Sequence, residues 1–490
     1  MNLWEKFRKA VRNLFRRNNV ESAFDVSIAV SSQMEKKMTL WSDMFEDHPH
    51  WKDIDKGQMT TNLPAAIASE IARLVTLEMK SEVTGSPRAE YLEKQYKSVT
   101  KKAREFTEYA CALGGVALKP YVVNDRIYAS IVQHNDFYPV NFDSDGDVTA
   151  AVFLDYAYEG DLKYTRMEYH SLKGTTYTIT NKVYRTKNKE ISNMADDALG
   201  IEVSLEDVAD WAGIDPEVTI QNIEKPLFAY FRMPFANNID PRSPMGVSVY
   251  AKAVESIQEA DRQWSEISWE YQGGELAVHG TDNLFPRDDA GKPILPKGKE
   301  RLFDVFDSMK EEFLKTYNPQ FRDASLYNGL NKIFERIEFQ CGLAYGTISD
   351  PNVTDKTATE VKQSRQRSFS TVADIQKSLQ DALEHLLYAM DVLASLYDLA
   401  PDGEYDVSYY WDDSLIVDSE AQRMMDLQEV AAGIMQKWEY RVKWYGEDED
   451  TAKRRLQESN DRSDDEIMDF NEPDPAEGSQ EEGPPKSGDK

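Results

Sequence analysis

The chain has 490 residues, with 57 Lys and Arg against 87 Asp and Glu, a formal net charge of −30. That length predicts about three or four folding units and excludes one small module, while 41% hydrophobic and 29% charged residues exclude a largely disordered chain. The acidity excludes tight non-specific adhesion to nucleic acid, which comes from Lys and Arg displacing counterions from phosphates.

In the segment 1–22, residues 1–20 set Lys6, Arg8, Lys9, Arg12, Arg16 and Arg17 against one acid, Glu5, and Leu3, Trp4, Phe7, Val11 and Leu14 share one helical face. This is a basic amphipathic helix, readable as a membrane-surface anchor, a nucleic-acid arm or a segment docked on an acidic neighbour. No secretory signal is visible here, and no run in the chain nears the ~18 apolar residues of a membrane span.

Ile67, Ile71, Leu74, Val75 and Met79 give residues 62–80 a helical period, with Pro64 in the first turn. A further helix is expected over 89–112, ending before Gly114-Gly115. From 115 the period changes to two, through Val116, Leu118, Tyr121, Val123, Ile127, Ala129, Ile131, Val152, Leu154, Tyr177, Ile179 and Val183, with turns at Asp145-Gly146 and Lys173-Gly174. Antiparallel hairpins follow from that pattern, in a strand-rich region over 115–235. After the Pro-rich turn 234–244, Tyr250, Ile257, Trp264 and Tyr271 repeat every seven residues, with Ala253, Ala260 and Ile267 between them. This predicts one straight helix over 247–272, ~39 Å long, ended by Gly273-Gly274. The seam could pack within the chain, on a neighbour, or on both.

Residues 273–323 mix strand patterns (Leu276-Ala277-Val278 and Leu302 to Phe306) with a Gly291, Pro293, Pro296, Gly298 loop, a small α/β insertion. Helical period returns at Leu326, Leu330, Ile333, Phe334 and Ile337 and breaks at Gly342 and Gly346. A loop, Ser349 to Asp355, leads to a helix of roughly 60 Å from Thr357 to about Tyr397, marked by Val361, Phe369, Val372, Ile375, Leu379, Leu383, Leu386, Met390 and Leu393. One strand (Val407, Tyr409, Trp411) precedes two or three C-terminal helices, the first marked by a capping box of Ser419 with Gln422. Residues 459–490 hold eleven acids and three bases with Pro and Gly, the composition of a disordered acidic tail. Removing both ends leaves the net charge almost unchanged, so the acidity belongs to the folded body. The fold class is α+β, mainly helical.

Catalytic signals are weak throughout. The six histidines, His48, His50, His134, His170, His279 and His385, form no H-E-x-x-H frame and pair with no cysteine. Cys111 and Cys341 stand far apart in apolar surroundings, as two buried reduced thiols rather than a disulfide or metal cluster. Asp143, Asp145 and Asp147 flank Gly146, but an EF-hand loop counted from Asp143 would place Val148 and Leu154 where Gly and a bidentate acid are needed. A P-loop, a nucleophile elbow and a dinucleotide fingerprint are all missing. The expectation is a non-enzymatic protein without cofactor or metal, made in a reducing cytoplasm. A metal-dependent hydrolase is the weaker alternative.

Pro244-Met245-Gly246-Val247-Ser248, Lys356-Thr357-Ala358-Thr359-Glu360, Trp411-Asp412-Asp413-Ser414 with Asp418, Ala432-Gly433-Ile434, Glu439-Tyr440-Arg441 and Gly446-Glu447 follow one another in an order that resembles the portal proteins of tailed bacteriophages, over most of residues 50–458. The resemblance implies a ring, usually of twelve subunits, at one capsid vertex. It implies a wing over 23–246, stem helices over 247–272 and 324–345, a clip over 273–323 and a tunnel loop over 346–358. The long helix and strand of 359–415 would return to the wing, and 416–458 would form a crown. It further implies double-stranded DNA passing through, and terminase, a head-completion adaptor, major capsid and scaffolding proteins as partners, in the virion and, during assembly, the host cytoplasm. Asn352, Thr354, Lys356, Lys362 and Arg365 are then the DNA-tunnel candidates, with Arg367 beside them. Tyr250, Ile257, Trp264 and Tyr271 are the stem-packing candidates, and Lys297, Lys299 and Arg301 the clip-docking candidates. A solvated helix face or ion pairs between subunits would explain the basic residues equally well. Another capsid-associated or scaffold-like protein without a tunnel is the alternative assignment.

Overall fold

The computed structural model describes residues 16–457 apart from 78, 188–198, 274–276, 282–285, 288–291, 293, 296–302, 307–313, 318–319, 321, 351–357 and 412–418. The chain divides into two compact units, Met1–Asp413 and Ser414–Lys490. The first begins with α1 (16–24), α2 (Ser32–Phe45) and α3 (Leu63–Thr76). Strand β1 (Lys80–Gly85) leads to α4 (Pro87–Thr100) and α5 (Ala103–Leu113). A run of strands follows: β2 (Gly115–Val123), β3 (Arg126–Val132), β4 (Phe137–Phe142), β5 (Val148–Glu159), β6 (Leu162–Lys173), β7 (Thr176–Lys187), β8 (Ile201–Val203), β9 (Glu217–Ile220) and β10 (Ala229–Arg232). Then come α6 (Val254–Gly273), the short strands β11 (Ala277–Thr281), β12 (Phe303–Phe306) and β13 (Leu314–Tyr317), α7 (Asp323–Cys341), α8 (Ala358–Leu396) and β14 (Tyr405–Tyr410). The second unit holds α9 (Ser419–Ala431), α10 (Lys437–Tyr445) and α11 (449–457).

The strands form four sheets among the described residues, ordered β1-β14, β10-β2-β3, β12-β11-β13 and β4-β5-β6-β7-β8 with β9 also on β7. Local chemistry sets the turns. Asn124 and Asp125, both at positive φ, close the β2–β3 hairpin, and Gly174 at φ +64° closes β6–β7. Between β4 and β5 the loop is longer than the expected two-residue turn. Asp143 Oδ1 accepts the N–H groups of Asp145 and Asp147, and Gly146 sits at φ +85°, so Asp143 is occupied in turn-making.

Helix α8 is the spine of the first unit. Its face of Val372, Ile375, Leu379, Leu383, Leu386, Leu387, Met390 and Ala394 is buried under α3, α4, β2, β3 and β10. Polar ties fix its register: Ser378 Oγ donates to Arg232 O (2.7 Å), His385 Nε2 meets Pro226 O (2.8 Å), and Tyr388 Oη accepts from Glu224 N (2.9 Å). Near its C-terminal end, buried Arg88 of α4 pairs with Asp391 (3.2 Å) and with Asp402 (2.7 Å) in the loop before β14.

Several elements depart from the sequence expectation. The length predicts three or four units, yet the chain divides into two, because α8 shares its core with segments from 63 to 232. The helix expected over 89–112 is broken at Lys101-Lys102, where Lys101 N and Lys102 N bond back to Lys97 O and Val99 O, and α5 starts at Ala103. The helix expected from 247 begins at Val254 and is about 30 Å long. Residues 248–253 instead make tight turns, with Ala251 N on Ser248 O and Ala253 N on Tyr250 O. Val249 N and Ser248 Oγ reach the Cys111 carbonyl at the end of α5. Gly246 explains its motif: a Cβ there would lie 2.0 Å from the Gly114 carbonyl oxygen, so no other residue fits the crossing. Strands β1 and β13 are not visible as strand patterns in the sequence.

At the amino end, Arg17 bonds Val30 O (2.7 Å) and pairs with Glu21 and Glu35, while Arg16 lies over the Tyr156 ring. The rest of the basic segment, 1–15, and the acidic tail, 459–490, lie outside the described residues. In the second unit, Gly433 and Gly446 at positive φ end α9 and α10. Asp426 of α9 accepts from Trp444 Nε1 (2.7 Å) and pairs with Lys443 (2.7 Å) on α10, and Arg423 donates to Tyr440 Oη (3.0 Å). The side chains of the expected Ser419–Gln422 capping box lie outside the described residues.

A buried polar chain crosses the β2, β6 and β7 strands. Glu168 pairs with Lys119 and Arg166, and His170 bridges Glu168 Oε1 (2.8 Å) and the Tyr177 hydroxyl (2.6 Å). Burial would raise the Glu168 carboxyl, but Lys119, His170 and Arg166 outweigh it and hold it well below the usual range. Burial pushes the His170 and His385 imidazoles below their usual value. All three groups bind fewer protons folded than unfolded, so their stabilisation is complete above about pH 6.5 and is lost as pH falls, the histidines first and Glu168 below about pH 4.3. Denaturant midpoints measured against pH should therefore fall on acidification, and His170→Gln should shrink the fall between pH 6.5 and 4.5 while leaving the lower limb in place.

Candidate functional site

Helices α6 and α7 form an antiparallel pair. At one end Arg322 forks onto Glu270 (3.0 and 2.7 Å), and midway α7 approaches so closely that a Cβ on Gly329 would meet Gln263 Nε2 at 2.9 Å. Ala253, Ile257, Ala260 and Ile267, with Leu330, Ile337 and Cys341, make the buried face. Asp261 is buried on α6 and accepts from Trp51 Nε1 (2.8 Å), Thr61 N (2.7 Å) and Thr61 Oγ1 (2.6 Å), which straps residues 51–61 to the helix. Burial raises its carboxyl above the usual range despite these bonds.

The four seam residues fall into two pairs. Tyr250 and Ile257 are fully buried, and the Tyr250 hydroxyl donates to the Trp41 carbonyl (2.9 Å). Trp264 and Tyr271 are 37% and 41% exposed, beside Tyr327 of α7 at 42%, while Trp269, 69% exposed, lies on another face of α6. Trp264, Ile267, Ser268, Tyr271, Gln272 and Tyr327 line an open concavity there. Tyr250 lies ahead of the helix, so the seven-residue spacing from Tyr250 to Ile257 joins a core plug to a helix and does not trace one continuous seam.

Beyond α7 the chain turns at Gly342, φ +74°, against Thr371 of α8. Residues 343–350 then run between α7 and α8. Glu338, fully buried, accepts from Ile348 N (2.6 Å), Ser349 N (2.8 Å) and Ser349 Oγ (2.8 Å). Arg367 lies over the Phe339 and Tyr345 rings, 4.5 and 5.5 Å from their centroids, and Arg365 points to solvent. Asn352, Thr354 and Lys356, the Lys362 side chain, and Lys297, Lys299 and Arg301 lie outside the described residues. The described part of 273–323 is the β12-β11-β13 sheet, parallel between β11 and β12 and antiparallel between β11 and β13.

Sequence reasoning missed Glu338 and Asp261. The signal for Glu338 was present: it lies four residues after Phe334 and beside Ile337, on the apolar stripe of α7, where a carboxylate has to find donors. Cys111 and Cys341 are buried, and burial pushes both thiols far above their usual value, which leaves them unreactive. Among the described residues no group of three or more His, Cys, Asp and Glu is placed to hold a metal ion, and no helix is long and apolar enough to cross a membrane.

In comparison with known families, the model described as phage portal protein, SPP1 Gp6-like, matches residues 58–466. No curated protein matches the chain.

The two halves of the seam should separate in a stability measurement. Tyr250→Phe removes the donor from a buried carbonyl and should cost about 1–2 kcal/mol in a denaturant midpoint. Trp264→Ala, at a half-exposed site, should stay within about 1 kcal/mol of the parent under conditions where the chain is monomeric.

Proposed function

The chain belongs to the phage portal protein family of the SPP1 Gp6-like type, and from that premise we propose that it is the ring subunit of a portal vertex, a conduit for double-stranded DNA during packaging and ejection. The family gives it a structural role in a tailed phage. In this reading the ring, of about twelve copies, sits at one vertex of the capsid, having assembled in the host cytoplasm beside scaffolding and major capsid proteins. The β11–β13 region is the clip, which meets terminase during packaging and a head-completion adaptor afterwards. Helices α6 and α7 are the stem, 346–358 the tunnel loop, residues 23–246 and 359–415 the wing, and 416–458 the crown.

The observation that carries this reading is the exposed aromatic patch of Trp264, Tyr271 and Tyr327 on the α6–α7 pair. Large aromatic rings left in water by a chain with an ample core are surface made for a partner. A head-to-tail contact between identical copies closes into a ring when its rotation divides the circle. Acidity supports the second half. Each copy adds −30, so the wall repels phosphate, and DNA slides without the counterion-release affinity that would arrest it. Asn352, Thr354, Lys356, Lys362 and Arg365 are the residues proposed to guide the strand, and Lys297, Lys299 and Arg301 those proposed to meet partners at the clip.

Native mass spectrometry and negative-stain images of the purified chain should show a closed ring with a central hole. Trp264→Ala combined with Tyr271→Ala and Tyr327→Ala should raise the concentration needed for assembly by at least about tenfold, the loss of roughly 1.4 kcal/mol of contact. A particle that stays monomeric at high concentration overturns the reading. Lys356→Glu with Arg365→Glu should leave the ring intact and shorten the DNA retained per particle; unchanged length removes these two residues from the guiding role.

A further inference from the structure

The segment joining α7 to α8 carries an unusual density of side-chain bonds. Tyr345 N donates to Ser364 Oγ on α8 (2.6 Å), Gly346 N to Ser349 Oγ (3.1 Å) and Thr347 N to Ala344 O (3.3 Å). Ile348 N and Ser349 N share Glu338 Oε1, and Asp350 N donates to Asn331 Oδ1 (2.7 Å). Each backbone N–H from Tyr345 to Asp350 thus has an acceptor, and most of the acceptors are side chains. Glu338, Asn331, Ser349 and Ser364 are all buried.

We propose that Glu338 is the positioning residue of this loop: its carboxylate, with Asn331 and Ser364 beside it, fixes the point and direction at which the chain leaves the α7–α8 pair at Asp350. The proposal rests on the conduit reading, in which the continuation beyond Asp350 faces the DNA. Packing alone does not explain the residue. An apolar side chain of the same size would fill the site at lower desolvation cost, yet it would strand the Ile348 and Ser349 N–H groups and the Ser349 hydroxyl. A carboxylate placed where three donors converge is worth its desolvation only if those donors must stay put. The clamp also joins two helices: Glu338 and Asn331 belong to α7, Ser364 to α8. A push on the loop is therefore shared by both helices and does not bend a free strand.

The test uses the full-length chain with Glu338→Leu, Glu338→Gln and Ser349→Ala. Glutamine retains the geometry, since its amide oxygen accepts both N–H groups and its NH2 donates to Ser349 Oγ. Amide hydrogen exchange at Ile348, Ser349 and Asp350 should rise about fivefold to tenfold in Glu338→Leu, rise less in Ser349→Ala, and stay near the parent in Glu338→Gln. In particles assembled with each variant, retained DNA should fall in the same order while ring formation, read by native mass spectrometry, is unchanged. Should Glu338→Leu fail to fold, Ser349→Ala against Glu338→Gln carries the same comparison. Parent-like exchange and DNA retention in Glu338→Leu, or in Ser349→Ala where the leucine variant does not fold, overturns the clamp and leaves the conduit reading standing. A parent chain that forms no ring sinks the conduit reading, and the exchange measurement then decides the clamp by itself.

Discussion

A helix of 39 residues persists in water only if something covers its apolar stripe along its length, and the covering of α8 organises the first unit. Its partners come from α3, α4, β2, β3 and β10, segments spread over more than 150 residues of chain. Once α8 is buried against them, the strand β14 that follows it is brought to β1, and residues 348–350 ahead of it are held on α7. The division of the chain into two units follows from the same fact. None of α3, α4, β2, β3 and β10 can leave this core without uncovering part of the long helix.

The buried polar groups add specificity to what the apolar face provides. Arg88 ties α4 to both the end of α8 and the loop before β14. Asp261 ties 51–61 to α6, Glu168 joins β6 to Lys119 of β2, and Glu338 joins α7 to its own exit loop. Each links segments that apolar packing alone would allow to slide, because hydrophobic contact is non-directional whereas a buried carboxylate accepts donors only from particular directions. Buried charges, even paired ones, are seldom the cheapest way to gain stability, so their concentration at junctions between elements fixes relative position.

How much was legible in the sequence follows from what each signal measures. Apolar residues at a period of 3.6 report one buried helical face, and Ile67 to Val75, Leu326 to Ile337 and Val372 to Leu393 all lie on helices with that face inward. The alternation from Val116 to Val183 reports the strands β2 to β7 in the same way. Periodicity fails where the chain's partner is distant. β1 exists because β14 pairs with it across more than 300 residues, and α6 starts late because Ser248 and Val249 are committed to the Cys111 carbonyl. The Tyr250 to Tyr271 spacing looked like one seam because a seven-residue interval is blind to whether its first member lies on the helix. Among the candidate site residues, the exposed aromatics were visible as residues but not as a surface, since exposure depends on which of them the fold itself covers. The ordered motifs pointed to the family more directly than any single site did, and Gly246 shows why such a motif can be specific: its backbone touches Gly114 with no room for a side chain.

The two surface properties of the chain make opposite demands. A strongly acidic protein resists self-association, because like charges approaching one another cost energy, and that cost grows with each added copy. An exposed patch of Trp264, Tyr271 and Tyr327 favours association at close range, where apolar burial outweighs a repulsion screened beyond about 8 Å at physiological salt. Together they permit contact only where the aromatic patch meets its complement and oppose it elsewhere, which selects one defined arrangement over amorphous clustering. The same balance implies that assembly should strengthen with ionic strength, since salt weakens the repulsion and leaves the aromatic contact intact, whereas an assembly built on ion pairs would weaken. Salt dependence of the proposed assembly therefore separates an aromatic interface from a charged one without any mutation.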